Sequence, residues 1–225
     1  MRRMLLAAST LALLVASSLV LPAGIAGNVL VLFGRSALAQ GAPEAKLMQA
    51  GPLGDQALGS DNAPVTIIEY ASMTCPHCAR FAVETFPKLR KEYIDTGKVR
   101  YILREFPFDA LAAGAFMLAR CVDKDRYYTV IDLLFRTQKD WVVDQPLGPL
   151  LKTVKQAGFS EDTFNACLDN KNALKSIQWV RKHAAEELNV KVTPTFFING
   201  QVTEGAMSFE DLEKRIDPLL KAGKQ

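Results

Sequence analysis

Two cysteines in the order Cys75-Pro76-His77-Cys78 are the part of this 225-residue chain best suited to chemistry. They follow an apolar run over residues 65–70, where a strand is expected to give way to a helix. The free N–H groups and positive dipole end of a helix N-terminus favour a thiolate, which lowers the pKa of a cysteine placed there. The spacing predicts that Cys75 is that cysteine, that Pro76 occupies the first helical position, and that Cys78 is the shielded partner.

The same spacing also occurs in zinc sites and in inert structural disulfides. A zinc site needs four ligands, and the other two cysteines, Cys121 and Cys167, form no second close pair. His77 lies between the two sulfurs, where a donor or a positive charge would stabilise the thiolate of Cys75 further. The strand-to-helix context therefore favours a redox-active dithiol, with the zinc site and the inert bridge as alternatives.

Two further features are expected beside the dithiol. Glu69 interrupts an apolar strand, so it is either a glutamate whose head reaches solvent or a buried carboxylate with a raised pKa. A buried carboxylate could exchange a proton with Cys78. Thr193-Pro194 precedes another strand, and the proline either begins an edge strand or forms a cis bond that exposes the backbone of Thr193 to an extended substrate.

The hydrophobic pattern around the dithiol predicts a β-α-β unit. A strand over 65–70 is followed by a helix that begins at Cys75, which Pro87 should kink or divide, and by a second strand over 99–106. A flexible lead-in over 40–60, with a short edge strand near 56–58, precedes this unit.

Helical periodicity then continues to about residue 189, and strand character returns after it. The expected segments are helices over 110–122, 125–137, 147–158, 160–168 and 172–188, strands over 190–192 and 195–198, a hairpin at Asn199-Gly200, and a last helix capped by Ser208. The sequence thus predicts an α/β fold with an inserted all-helical domain. The expected division is 1–39, 40–60, 61–107, 108–189 and 190–225.

The first 39 residues have the pattern of an export signal. Arg2 and Arg3 precede an uncharged apolar run, and Ala37-Leu38-Ala39 fits the small-x-small rule for cleavage before Gln40. An uncleaved membrane anchor is the alternative, because about 20 apolar residues can span a bilayer. Removing this segment lowers the net charge from +3 to zero, which gives no electrostatic case for binding nucleic acid.

Cys121 and Cys167 both fall in the predicted helical domain. They are either two buried free cysteines or a structural disulfide that staples the helices together. Export and the even number of cysteines favour the disulfide, since disulfides persist in oxidising compartments.

The motif Cys75-Pro76-His77-Cys78 after a buried strand, the helical insertion, and Val192-Thr193-Pro194-Thr195 before the hairpin resemble the DsbA-type thiol-disulfide oxidoreductases. The resemblance extends from about residue 60 to the C-terminus. It implies a thioredoxin fold, an attacking Cys75, a resolving Cys78 and a cis-proline at Pro194. The family also carries an acidic residue at the position of Glu69.

The resemblance further implies an exported, periplasmic enzyme that oxidises reduced proteins and is reoxidised by a DsbB-type membrane partner. No metal, nucleotide or flavin motif is present, so the cysteine pair itself is expected to be the redox group. The short lead-in has no heptad pattern, which favours a monomer. Thr193 departs from the best-known oxidases, which carry valine there, whereas related isomerases often carry threonine. An isomerase or reductase, and a non-catalytic thioredoxin-like binding protein, are therefore the alternatives.

Overall fold

A five-stranded mixed sheet forms the centre of the computed structural model, which describes residues 44–222. The strands are β1 (Gln56–Leu58), β2 (Val65–Ala71), β3 (Val99–Glu105), β4 (Thr195–Ile198) and β5 (Gln201–Glu204). Their order across the sheet is β1-β3-β2-β4-β5. Strands β2 and β3 are parallel, as their helical connection requires, and the other neighbours are antiparallel.

Most of the described chain outside the sheet is helical. The helices are α1 (Glu44–Leu47), α2 (Pro76–Arg80), α3 (Phe86–Leu89), α4 (Ala110–Arg120), α5 (Lys124–Arg136), α6 (Gln138–Trp141), α7 (Leu147–Lys155), α8 (Glu161–Leu168), α9 (Lys171–Glu187) and α10 (Phe209–Ala222). Two π-helical segments, Phe81–Thr85 and Arg90–Ile94, lie on either side of α3. Pro87, which has no backbone N–H, lies just after the first of them. The helix that was expected to be kinked or divided at Pro87 is therefore interrupted there by a π-helical turn.

The predicted strand over 190–192 does not form, because these residues close the preceding helix instead. Asn189 has a positive φ of 57°, and the N–H of Val190 donates to the carbonyl of Ala184 at 2.9 Å. Asparagine is one of the few residues that adopt this left-handed conformation readily at a helix end. The chain therefore enters β4 only after Pro194.

The two faces of the sheet carry different apolar clusters, because successive side chains of a strand point to opposite sides. Ile67 and Phe196 face the larger cluster, which also contains Cys78 and apolar residues from α4, α5 and α10. Ile68 faces the smaller one, which α9 covers with Val180 and other residues. The helical segment lies between β3 and β4 in sequence, as predicted, but its apolar core is continuous with that of the sheet.

Within the segment expected as a flexible lead-in, residues 44–58 are packed against the rest of the molecule. Asp55 takes two hydrogen bonds from Arg104 at 2.9 and 2.8 Å, and the carbonyl of Leu47 accepts a third at 2.6 Å. The side chain of Arg104 is only 1% exposed, so this segment supplies the oxygens that a buried guanidinium requires. The predicted export signal over 1–39 lies outside the described residues.

Cys121 and Cys167 form a disulfide between the C-terminal ends of α4 and α8, with a Cα–Cα distance of 5.8 Å. The bridge joins two helices of the segment between β3 and β4. Within residues 44–222, no helix combines the length and the apolar character needed to cross a membrane.

Candidate functional site

Cys75 and Cys78 are both free thiols at the start of α2. Cys75 is the N-cap residue, with extended backbone angles, and Pro76 follows at the first helical position. The sulfur-bearing side chains differ in access: Cys75 is half-buried, whereas Cys78 is completely buried in the large apolar cluster. Only Cys75 is therefore open to an incoming thiolate.

The surroundings of the two thiols move their pKa values in opposite directions. A hydrogen bond with the thiol of Cys78 is the largest influence on Cys75, followed by burial, which opposes it, and by the side chain of Thr193. Together with the backbone N–H groups of Cys78 and His77, these contacts lower the pKa of Cys75 from 9.0 to about 5. Burial, followed by the contact with Cys75 and the charge of Glu69, raises the pKa of Cys78 far above its ordinary value. At neutral pH the pair thus holds one thiolate and one thiol.

The side chain of His77 is exposed and contacts Arg80, whose Nη2 lies 3.1 Å from the imidazole Nδ1. The backbone N–H of His77 is one of the groups that lower the pKa of Cys75. The role assigned to the imidazole from the sequence stays a prediction.

Glu69 is a buried carboxyl group on β2, only 2% exposed, on the sheet face that packs against the apolar cluster containing Cys78. Tyr101 on the adjacent β3 donates its hydroxyl hydrogen to Glu69. Burial raises the pKa of Glu69 most, the hydrogen bond from Tyr101 lowers it, and the charge of Cys75 raises it, which gives a value of about 8. Glu69 can therefore carry a proton at neutral pH next to a buried thiol, whereas an exposed glutamate would be ionised.

The loop before β4 completes the site. The Thr193–Pro194 peptide bond is cis, and the carbonyl oxygen of Thr193 lies 3.3 Å from the sulfur of Cys75. The hydroxyl oxygen of Thr193 is buried and has no hydrogen-bond partner among the described residues. An extended peptide that pairs with this backbone would bring its own sulfur close to Cys75.

Two residues of the site, Tyr101 and Gln138, were not predicted from the sequence. Tyr101 could have been found, because in parallel strands 65–70 and 99–106 the alternation of side chains places it on the face of Glu69. Gln138 lies in the helical segment, and its side chain donates to the carbonyls of Met73 and Cys75. Gln138 and Cys75 are 63 residues apart in sequence, and no local sequence pattern predicts a contact over that distance. Residues 44–222 hold no cluster of three or more His, Cys, Asp or Glu side chains suited to a metal ion.

The sequence of this chain is similar to those of several known proteins. The sequence profile of the thioredoxin family, described as "Thioredoxin", matches residues 53–218. A Rickettsia conorii protein named "Putative protein-disulfide oxidoreductase" is 32% identical over 76% of this chain. The chain spans only 62% of the length of that relative. Disulfide bond formation protein D of Bacillus subtilis is 28% identical over 75% of this chain and 78% of its own length.

A solved structure shares the fold. The crystal structure of Wolbachia pipientis alpha-DsbA1 has a TM-score of 0.74 and 30% sequence identity, and the match covers 80% of this chain and 97% of that one. The predicted fold class, a thioredoxin fold with an inserted helical segment, is thereby confirmed.

Proposed function

Because the chain belongs to the thioredoxin family, and within it to the DsbA-type thiol-disulfide oxidoreductases, we propose that it introduces disulfide bonds into exported proteins. One observation carries this proposal above the others: the half-buried Cys75 has a pKa lowered to about 5, whereas its partner Cys78 is buried and protonated. A stabilised thiolate makes the reduced form of the pair more favourable, and the disulfide is then a stronger oxidant.

The reaction begins with the oxidised pair, in which Cys75 and Cys78 share a disulfide. A client thiolate attacks the sulfur of Cys75, which forms a mixed disulfide, breaks the Cys75–Cys78 bond and releases the thiolate of Cys78. Glu69 donates a proton to that buried thiolate, because its pKa of about 8 keeps it protonated at neutral pH. Burial of the Cys78 thiolate would otherwise be unfavourable.

A second client thiolate then attacks the client sulfur of the mixed disulfide. The client leaves with a new disulfide, and Cys75 leaves as a thiolate, which its lowered pKa makes a good leaving group. Two electrons have passed from the client to the cysteine pair. The backbone of Thr193, with its carbonyl 3.3 Å from the sulfur of Cys75, supports pairing with an extended client strand during both steps.

Two assays run in parallel test this function. Oxidation of a reduced two-cysteine peptide measures disulfide formation, and refolding of a protein with scrambled disulfides measures isomerisation. Fast oxidation with slow isomerisation is expected, and Cys75→Ser should abolish both. Strong isomerisation with weak oxidation would overturn the oxidase assignment, and inactivity in both assays would favour a binding protein.

Disulfide isomerisation is the second candidate function, and Thr193 is the residue that favours it. Its side chain helps to lower the pKa of the Cys75 thiol, and its hydroxyl oxygen is buried without a hydrogen-bond partner among the described residues. A hydroxyl there can hold the Cys75 thiolate after attack and change how quickly a client is released. Thr193→Val should therefore alter the ratio of oxidation to isomerisation in the same two assays.

The remaining parts of the proposal concern location and partners. The export signal pattern supports a periplasmic or otherwise exported protein, cleaved before Gln40 or held by an uncleaved anchor. Reduced exported proteins are its clients, a DsbB-type membrane oxidase is its oxidant, and it acts as a monomer. The cysteine pair serves as the redox group. Mass spectrometry of the native protein would separate the cleaved from the anchored form.

A further inference from the structure

A glutamine of the helical segment holds the loop that carries Cys75. Gln138 is the first residue of α6, and its side chain is buried, with 7% of the residue exposed. Its Nε2 donates to the carbonyl of Met73 at 2.7 Å and to the carbonyl of Cys75 at 3.0 Å. Both hydrogens of one carboxamide are thus used on a single three-residue stretch between β2 and α2.

Without Gln138 the carbonyl of Met73 would lose its hydrogen-bond donor in a buried setting. The side chain of Met73 is fully buried, and backbone carbonyls in such surroundings need a donor. The carbonyl of Cys75 also accepts from the N–H of Ala79 at 3.2 Å, which is the first hydrogen bond of the helix. Gln138 therefore acts on the atom that joins the loop to the helix.

The stretch has a second attachment to the helical segment. Thr74, between Met73 and Cys75, donates its hydroxyl hydrogen to Asp109 at 2.6 Å, and the other oxygen of Asp109 caps α4. Trp141, the last residue of the same short helix as Gln138, donates its indole N–H to the carbonyl of Leu134 at 2.9 Å and not to this stretch.

We propose that Gln138 is a positioning residue for the dithiol: it fixes the carbonyls of Met73 and Cys75 so that the first turn of α2 stays directed at the sulfur of Cys75. The backbone N–H groups of that turn stabilise the thiolate only while they point at it. Through this contact the helical segment sets how strongly the thiolate, and hence the reduced state, is favoured. The inference deepens the proposed function, but its main test needs no client protein.

The test uses Gln138→Met, which keeps the length of the side chain and removes both donors. Trp141→Phe is the matched control, since it removes one buried donor from the same helix without touching the loop. Two quantities are measured: the absorbance of the Cys75 thiolate at 240 nm against pH, and the equilibrium of the cysteine pair with glutathione. Melting temperatures of all variants report on stability.

Gln138→Met should raise the pH of half-titration by roughly half a unit to one unit and make the disulfide roughly threefold to tenfold less oxidising, the change that corresponds to one lost hydrogen bond. Trp141→Phe should lower the melting temperature and move neither quantity. If Gln138→Met does not fold, Gln138→Asn, whose amide is one methylene too short for both carbonyls, should show the same shifts.

Variants at Gln138 that lower only the melting temperature, as Trp141→Phe does, would overturn the positioning role. The two proposals can fail separately. A wild-type protein that does not oxidise clients, together with a Gln138→Met variant that shows the shift in thiolate titration, would contradict the proposed function and support the role of Gln138.

Discussion

Neighbouring donors and burial, rather than residue type, separate the two cysteines of the motif. Cys75 receives hydrogen bonds from the thiol of Cys78 and from backbone N–H groups, and its pKa falls to about 5. Cys78 lies one turn further into the helix, where burial outweighs other influences and its pKa rises. The same type of side chain is therefore an accessible nucleophile at Cys75 and a buried, protonated thiol at Cys78.

The lowered pKa of Cys75 predicts how the stability of the reduced protein depends on pH. The pKa of this thiol is near 9.0 in the unfolded chain and about 5 in the folded one. The thiolate therefore stabilises the fold fully above pH 9.0, and this stabilisation is lost as the pH falls through about 5. We expect the melting temperature of the reduced protein, relative to the oxidised one, to fall between pH 8 and pH 5. An equal pH slope in reduced Cys75→Ser would contradict this expectation.

Glu69→Gln tests the buried carboxyl group. Its pKa is raised from 4.5 to about 8, so its contribution to folding is complete below the lower value and is lost as pH rises through the upper one. The amide keeps an oxygen that can accept from Tyr101 and does not ionise. The variant should therefore be more stable near pH 8, by roughly 3–5 kcal/mol, and show a flatter pH profile in chemical denaturation.

The same variant tests the proton step. Without an acid beside Cys78, release of that thiolate should slow by at least roughly tenfold in rapid-mixing measurements of client oxidation. Glu204→Gln, an exposed change on β5, is the control for loss of a carboxylate. Unchanged oxidation kinetics in Glu69→Gln would rule out the proton-donor role.

Helices and strands could be predicted from the sequence where their signals are local. Asn199-Gly200 predicted a hairpin, and both residues have the positive φ values, 43° and 83°, that this turn needs. Ser208 caps α10 by accepting from the N–H of Asp211, as expected. The prediction of a strand over 190–192 was wrong, because the apolar residues there do not reveal that Asn189 ends the preceding helix.

The disulfide acts on α4 and α8. Its cysteines are 46 residues apart, so the bridge removes much of the freedom of the unfolded chain. Replacing both Cys121 and Cys167 by alanine should lower the free energy of unfolding by roughly 2–4 kcal/mol. Denaturant titration of oxidised wild-type and variant protein measures this.

Counting thiols provides an independent check of that bridge. Denatured, fully oxidised protein should contain no free thiol, and the double alanine variant should also contain none, because Cys75 and Cys78 are paired. Two free thiols in the oxidised wild type would show that Cys121 and Cys167 are not joined.

At the scale of the whole molecule, buried charges join parts of the chain that lie far apart in sequence. Arg104 on β3 binds Asp55 and the carbonyl of Leu47, and Arg120 on α4 binds Glu105 and the carbonyl of Gly54. Composition indicated a flexible lead-in, since residues 40–60 are rich in Gly, Ala, Pro and Gln and show little periodicity. It does not record that two arginines elsewhere need those oxygens, so the packing of residues 44–58 could not be predicted.

Arg104→Met is expected to destabilise the whole fold. Methionine keeps most of the apolar packing but leaves Asp55 charged and largely buried without its partner, which costs roughly 3–5 kcal/mol. Arg100→Met is the matched control on the same strand: its partner Asp61 is 88% exposed, and the loss should be below about 1 kcal/mol. Equal midpoints of urea unfolding for the two variants would refute this account of the buried pair.

The bridge between Cys121 and Cys167 has a consequence for how new copies of the protein mature. A freshly made chain carries four thiols, and two of them must lose electrons before the ends of α4 and α8 are joined. On the proposed function, an older copy with an oxidised Cys75–Cys78 pair catalyses that kind of reaction. Maturation would then be autocatalytic between molecules, with a lag when the first copies appear and an acceleration as they accumulate.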